Sequence, residues 1–175
     1  MKKAAIIVAV VLTASMVDPV FAVPITDAQL GNIQINCDSN KLHLDKNYKE
    51  IDSNNKHNLH IRYERVEENM KKLNKRLVNM ALVDKDIKNE FTNQQSDFSR
   101  EVDDFEGYYK DYAGKMEELI RVNCKEHPYD FYNKLETVRL ARSKVSNSIK
   151  RIEDILHSHN ESIAKLREIF NAGNE

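Results

Sequence analysis

Residues 70–91 read MKKLNKRLVNMALVDKDIKNEF, and the path of the chain through them decides the fold. On the near side, Leu59, Tyr63, Val66, Met70, Leu73, Leu77 and Met80 recur at alternating steps of four and three. That is the apolar seam of a coiled-coil helix. On the far side, Phe91, Phe98, Phe105, Tyr112 and Leu119 recur every seven residues, with Ile87, Gln94, Val102, Tyr109 and Met116 as companions. Between the two patterns, Ala81-Leu82-Val83-Asp84 has neither glycine nor proline. Local signals alone therefore permit one continuous helix of about eighty residues. Asp84 offers an N-cap for a second helix, because its carboxylate can accept a free backbone N–H in the first turn.

Two observations favour a turn near Met80–Ala81. Cys37 and Cys124 are the only cysteines, and their midpoint falls there. Opposed residues of an antiparallel hairpin have a constant index sum, here 161. That register sets Phe91 against Met70, Phe98 against Tyr63 and Leu119 against Leu42, all apolar or aromatic. Charge agrees. Residues 41–80 carry net +4, residues 84–124 net −5 and residues 128–171 net +2, as suits an acidic middle helix between two more basic ones. Each exposed ion pair contributes only ~0–1 kcal/mol, so charge selects the pairing more than it stabilises it.

The first pattern extends backward through Leu44, Tyr48 and Ile51, with Asn55 in the seam and one extra step of four, a stutter. The third pattern has the most regular spacing: Phe131, Leu135, Val138, Arg142, Val145, Ile149, Ile152, Leu156, His159, Ile163, Leu166 and Phe170 alternate steps of four and three throughout. Pro128 suits its first turn, where the missing N–H costs nothing. Asn55, Arg142 and His159 are polar seam residues that fix register at some cost in stability. Gly107 and Gly114 share one face of the second helix, which predicts the close approach of another backbone.

Met1–Ala22 reads as a secretory signal peptide. Lys2 and Lys3 precede an apolar run of thirteen residues, Ala4–Met16, and Val20-Phe21-Ala22 sets small residues at −3 and −1 of a cleavage site. An uncleaved anchor is the competing reading. Cleavage leaves 153 residues with a net charge of −2, enough for one domain and without a bulk charge that points to nucleic acid or membrane. No second apolar run is long enough to span a bilayer. Four glycines, three prolines and no tryptophan predict few turns and long elements. In an oxidising compartment the two cysteines form a disulfide, leaving neither free for nucleophilic or metal chemistry.

Other chemistry is sparse. His57, His60 and Glu64 share a helical face, but an exposed polar face beside a helix end accounts for them better than a metal does. His157 and His159 point to different faces. There is no Gly-x-Ser-x-Gly turn and no glycine-rich phosphate loop. The paired carboxylates Asp103 and Asp104, and Glu117 and Glu118, lie on helix surfaces, where a two-carboxylate mechanism lacks its cleft. Lys71, Lys72, Lys75 and Arg76 form a basic patch near the first turn, partly neutralised by Glu64, Glu67 and Glu68. Phe91, Phe98, Phe105 and Tyr112 read as core rather than as a groove for a client. Tyr108, Tyr109, Tyr129 and Tyr132 cluster toward the disulfide end, some of them off the core. Asn160-Glu161-Ser162 matches a glycosylation sequon placed in mid-helix.

At Cys37-Asp38, Arg62-Tyr63-Glu64-Arg65-Val66, the Phe105–Tyr112 stretch and Cys124-Lys125-Glu126-His127-Pro128-Tyr129-Asp130-Phe131, the chain resembles a loosely defined set of secreted coiled-coil proteins of uncharacterised function from candidate-phyla (Patescibacteria-like) bacteria. The resemblance implies an extracytoplasmic location and a disulfide, and carries no activity to any residue. The chain departs from that set in its first turn, which lacks the glycine often found there.

The expectation is an all-α, elongated up-down-up three-helix antiparallel bundle, stapled by Cys37 and Cys124. Its divisions are a signal peptide at 1–22, an extended segment at 23–37, helices at about 38–81, 84–124 and 128–171, and a tail at 172–175. The core seam is Tyr63, Met70, Phe91, Phe98, Phe105, Tyr112, Leu135, Ile149 and Ile152. The expected protein is not an enzyme and holds no cofactor or metal. It is an exported binding or spacer module of the envelope or extracellular space with a protein partner, no nucleic acid and no membrane insertion once the signal is cleaved. The alternative is a periplasmic holdase-type chaperone.

Overall fold

The structure is a computed structural model and describes residues 25–54, 59–81 and 83–172. Five helices follow in order: α1 (Asp27–Ile35), α2 (Cys37–Asn54), α3 (His60–Val78), α4 (Lys85–Arg121) and α5 (Pro128–Ala172). No strand occurs among the described residues. At about 1.5 Å per residue, α4 is about 55 Å long and α5 about 67 Å.

The turn after α3 exists, so the single continuous helix is excluded. The Asn79 N–H donates to Arg76 O, and its side-chain amide donates to Lys75 O at 3.1 Å. These bonds satisfy carbonyls that the helix end leaves without partners. Asp84 caps α4 as expected, its carboxylate accepting the Asp86 N–H at 3.0 Å. At the other end of α4, Val122 turns to an extended conformation (φ −65°, ψ 133°), and Pro128 opens α5.

Cys37 and Cys124 are joined by a disulfide, with Cα atoms 5.5 Å apart and a sequence separation of 87. The bond is compatible with an extracytoplasmic location. The cysteine register holds along the hairpin. Tyr63 meets Phe98 edge-on at 6.1 Å between ring centroids, and Tyr48 meets Tyr112 at 6.3 Å. Tyr109 donates its hydroxyl to Asp52 at 2.8 Å. Indices fall on α2 and α3 as they rise on α4, so these helices run antiparallel to it. Gln94 with Ser162, and Glu118 with Lys134, show the same opposed order between α4 and α5. α4 is thus the element on which α2, α3 and α5 all pack.

Buried side chains form two clusters. The larger runs from the disulfide through Tyr63, Met70, Phe98, Phe105, Tyr112 and Phe131 to Ile152. The smaller, at the α3–α4 turn, joins Leu77, Val83, Phe91 and Leu166. Of the expected seam, Tyr63, Met70, Phe91, Phe98, Phe105, Tyr112 and Ile152 are buried. Leu135 and Ile149 are only half-buried on the flank of the larger cluster. The face of α5 that enters the core is offset from the large apolar side chains and runs Val138, Ala141, Val145, Ser148, Ile152. Arg142, expected in the seam, is exposed, and Ala141 fills its place.

Other expectations need correction. Within the segment at 23–37, Asp27–Ile35 is helical rather than extended, opened by a capping box between Thr26 and Gln29. α1 then folds against α5 and sets Ile33 on the core. Of the expected helix 38–81, the described residues form α2 and α3, ending at Val78, and Asn55 and His57 lie outside the described residues. Leu42 does not face Leu119 but is 68% exposed. Five residues beyond Cys37 lie about 140° around a helix of 3.6 residues per turn, so a helix whose Cys37 faces α4 turns Leu42 outward. Met80, expected in the seam, falls beyond the end of α3 and is exposed. Gly107 and Gly114 meet no backbone: a Cβ at either would find nothing within 4 Å. The signal peptide, Met1–Ala22, lies outside the described residues. Among the described residues, no helix is long and apolar enough to cross a membrane.

Candidate functional site

The α3–α4 turn carries a local excess of cations and part of the exposed apolar surface. α3 ends in Lys75 and Arg76, where cations interact favourably with the negative end of the helix dipole. Lys71 and Lys72 sit one turn earlier and pair with Glu67 and Glu68, each at 2.7 Å. Both pairs hold their carboxyl groups below the ordinary carboxylate range, chiefly through the lysine hydrogen bond. Among the described residues, Lys75, Arg76 and Lys85 have no carboxylate within 4 Å. Lys88 reaches back across the turn, its Nζ 3.4 Å from Val78 O.

The turn sorts its apolar residues. Val83 is driven into the smaller cluster, whereas Val78 and Met80 are 66% and 37% exposed. Lys72, Lys75, Arg76, Asn79 and Met80 line an open depression of about 600 Å³. The basic patch read from the sequence is therefore brought together, with two of its four cations paired along the helix as expected. Met80 joins the surface rather than the core.

Two similar depressions lie between α4 and α5, one around Lys110, Asp111, Gly114 and Glu118, the other around Arg121, His127 and Asp130. Both are open and lined mainly by charged and polar side chains, with no convergent nucleophile and base. His60 stands between Glu64 (3.1 Å) and Glu106 (2.6 Å), linking α3 to α4. Among the described residues, no group of three or more His, Cys, Asp or Glu side chains is arranged to hold a metal. Of the tyrosines, Tyr129 is 56% exposed, while Tyr109 is half-buried. Burial, followed by its bond to Asp52, raises the Tyr109 hydroxyl well above its ordinary pKa.

The sequence reading missed the polar groups inside the α4–α5 interface. Glu101 is 7% exposed. It accepts from Arg151 Nε and Ser148 Oγ, each at 2.8 Å, and the Arg151 hydrogen bond lowers its pKa. Two turns away, Gln94 bridges His159 and Ser162, with its Oε1 2.9 Å from His159 Nδ1 and its Nε2 donating to Ser162 Oγ at 2.9 Å. An amide oxygen only accepts, so Nδ1 carries the proton. Burial depresses the His159 pKa, and the ring meets Phe91 edge-on at 5.2 Å. Glu101, Ser148, His159 and Ser162 are buried between the two helices, with Arg151 half-exposed beside them, and they serve packing.

Comparison with family models, curated proteins and solved structures returns no match. Function has to be read from the chain's own chemistry.

Proposed function

We propose that this protein is an exported, non-enzymatic spacer or binding module of the envelope or extracellular space. In this reading α2 with α3, α4 and α5 form an up-down-up three-helix bundle, stapled at one end by Cys37–Cys124. The other end is the contact surface. The observation that carries it is the local character of the α3–α4 turn: Lys75, Arg76, Lys85 and Lys88, which form no ion pair among the described residues, stand with the exposed Val78 and Met80 at one end of a slender helical body. The depressions along its sides are shallow and polar, which favours surface contact over the enclosure of a small substrate.

Crosslinking from the native envelope tests the reading. A photo-crosslinker at Asn79 is expected to capture a defined neighbour that the same probe at Asp130, near the disulfide end, does not. Reproducible turnover by the purified protein, abolished by a single carboxylate or histidine substitution, would overturn it. An intact mass beginning at Val23 is the expected sign of export with cleavage. The holdase reading stands second: it needs apolar surface for clients, and Phe91, Phe98, Phe105 and Tyr112 are spent in the core. Suppression of client aggregation at near-stoichiometric ratio would restore it.

A further inference from the structure

We infer that the α3–α4 turn docks peripherally on an anionic lipid surface. This rests on the reading of the protein as a non-enzymatic spacer with its contact surface at that end, and names what the surface touches. Residues 67–88 hold six lysines and arginines against two glutamates and two aspartates, net +2, within a chain whose total is −1. Four of those cations, Lys75, Arg76, Lys85 and Lys88, form no ion pair among the described residues. Val78 and Met80 lie in sequence between Arg76 and Lys85, 66% and 37% exposed. Lys88 is held at the same end by its contact with Val78 O.

The two kinds of side chain together select the occupant. A soluble polyanion would engage the cations and leave Val78 and Met80 in water. A partner helix would need an apolar groove, and the depression here is lined mainly by Lys72, Lys75 and Arg76. A bilayer with acidic headgroups satisfies both: phosphates meet the ammonium and guanidinium groups, while a short apolar tip enters the headgroup boundary. Lysine and arginine stems reach sideways along such a boundary. The attraction amounts to about five-fold in partitioning for each cation near an anionic surface, and it fades within a Debye length of about 10 Å at 0.1 M salt. Contact is confined to the tip, so no helix needs to insert.

The test is co-sedimentation of the intact disulfide-bonded protein with vesicles of equimolar phosphatidylcholine and phosphatidylglycerol, against vesicles of phosphatidylcholine alone. Binding is expected to the mixed vesicles only, and to weaken with salt. K75A/R76A is expected to lower it about twenty-five-fold, the product of two cations. V78N/M80N, which alters only exposed positions, should lower the binding that survives at high salt. Unchanged helical circular dichroism in both variants confirms that the fold persists. No preference for the mixed vesicles overturns the inference. So does binding insensitive to V78N/M80N and abolished by soluble polyphosphate, which would indicate a polyanion instead. If vesicles fail while the Asn79 crosslinker still captures a protein, the spacer reading stands and the lipid inference falls.

Discussion

The two sides of α4 are held by different means. Toward α2 and α3 it presents rings: Tyr63 packs edge-on against Phe98 and Phe105, and Tyr48 against Tyr112, below a covalent bond at Cys124. Toward α5 it presents two polar layers, Glu101 with Ser148 and Arg151, and Gln94 with His159 and Ser162. The side with the disulfide has its register fixed by connectivity and can be filled with large apolar shapes. The side without one has only the short connection at 122–127, and its apolar side chains would tolerate a slip of one heptad. Such a slip would strand the buried Glu101 carboxylate, and an unpaired buried charge is strongly unfavourable. Apolar burial stabilises both sides; on the α5 side the polar layers also choose the alignment.

Breaking the covalent side should have the largest effect. Closing a loop of this length contributes about 4–5 kcal/mol in the chain-entropy model, comparable to the whole stability of a small domain. C37S/C124S is expected to lower the urea midpoint sharply, and a reductant should do the same to the native protein and nothing to the variant. Next comes the ring stack. Phe98 is fully buried, and Phe98→Ala is expected to cost about 3–5 kcal/mol, against about 2–5 kcal/mol for Ile152→Ala on the other side. Equilibrium denaturation measures both.

The polar layers should respond more weakly. Arg151→Ala leaves the Glu101 carboxylate with Ser148 alone, and a loss of about 1–3 kcal/mol is expected, less where water reaches the half-exposed arginine site. Adding Glu101→Gln removes the charge and should recover part of that loss, which a surface pair would not show. The smallest effect is in pH. Burial depresses the His159 pKa in the folded protein, so the unfolded chain takes up a proton first as pH falls. Stability is then flat above about pH 6.5 and declines as pH falls from there toward the lower folded pKa. A second decline begins as pH enters the ordinary carboxylate range, where the unfolded chain takes up a proton at Glu101 that the folded protein, its Glu101 pKa lowered, does not. His159→Gln is expected to flatten the first decline and spare the second, read from urea midpoints across pH.

The sequence exposes these two sides unequally. Phe91, Phe98, Phe105 and Tyr112 announce the first by size and spacing, and the cysteine pair supplies the register, so the Tyr63–Phe98 contact is legible before any coordinates. Glu101, Ser148 and Ser162 do not announce the second, because glutamate and serine are ordinary residues of an exposed helix face. Ala141 entered the core unnoticed for a related reason, since Arg142 beside it fitted the apolar spacing better. α1 carries too little periodicity to be read as an amphipathic helix, although Thr26 and Gln29 have the spacing of a capping box and could have disclosed it. At the turn, the cations were visible as a patch. The exposure of Met80 was not, because it depends on where α3 stops.

In the proposed bundle α5 runs back alongside α3, with α4 between them in sequence and antiparallel to both. Tyr63 of α3 meets Phe98 of α4 and Gln94 of α4 meets His159 of α5, which sets the level of one helix against the other through α4. Lys71 then stands level with Asn160 and well away from Arg139, which lies 21 residues along α5, or about 32 Å at 1.5 Å per residue. Pulsed electron-electron distance measurement, with non-cysteine spin labels and the disulfide left intact, tests this directly. The Lys71–Asn160 distance is expected to be the shorter by a wide margin. A shorter Lys71–Arg139 distance, or two equal ones, would contradict the arrangement.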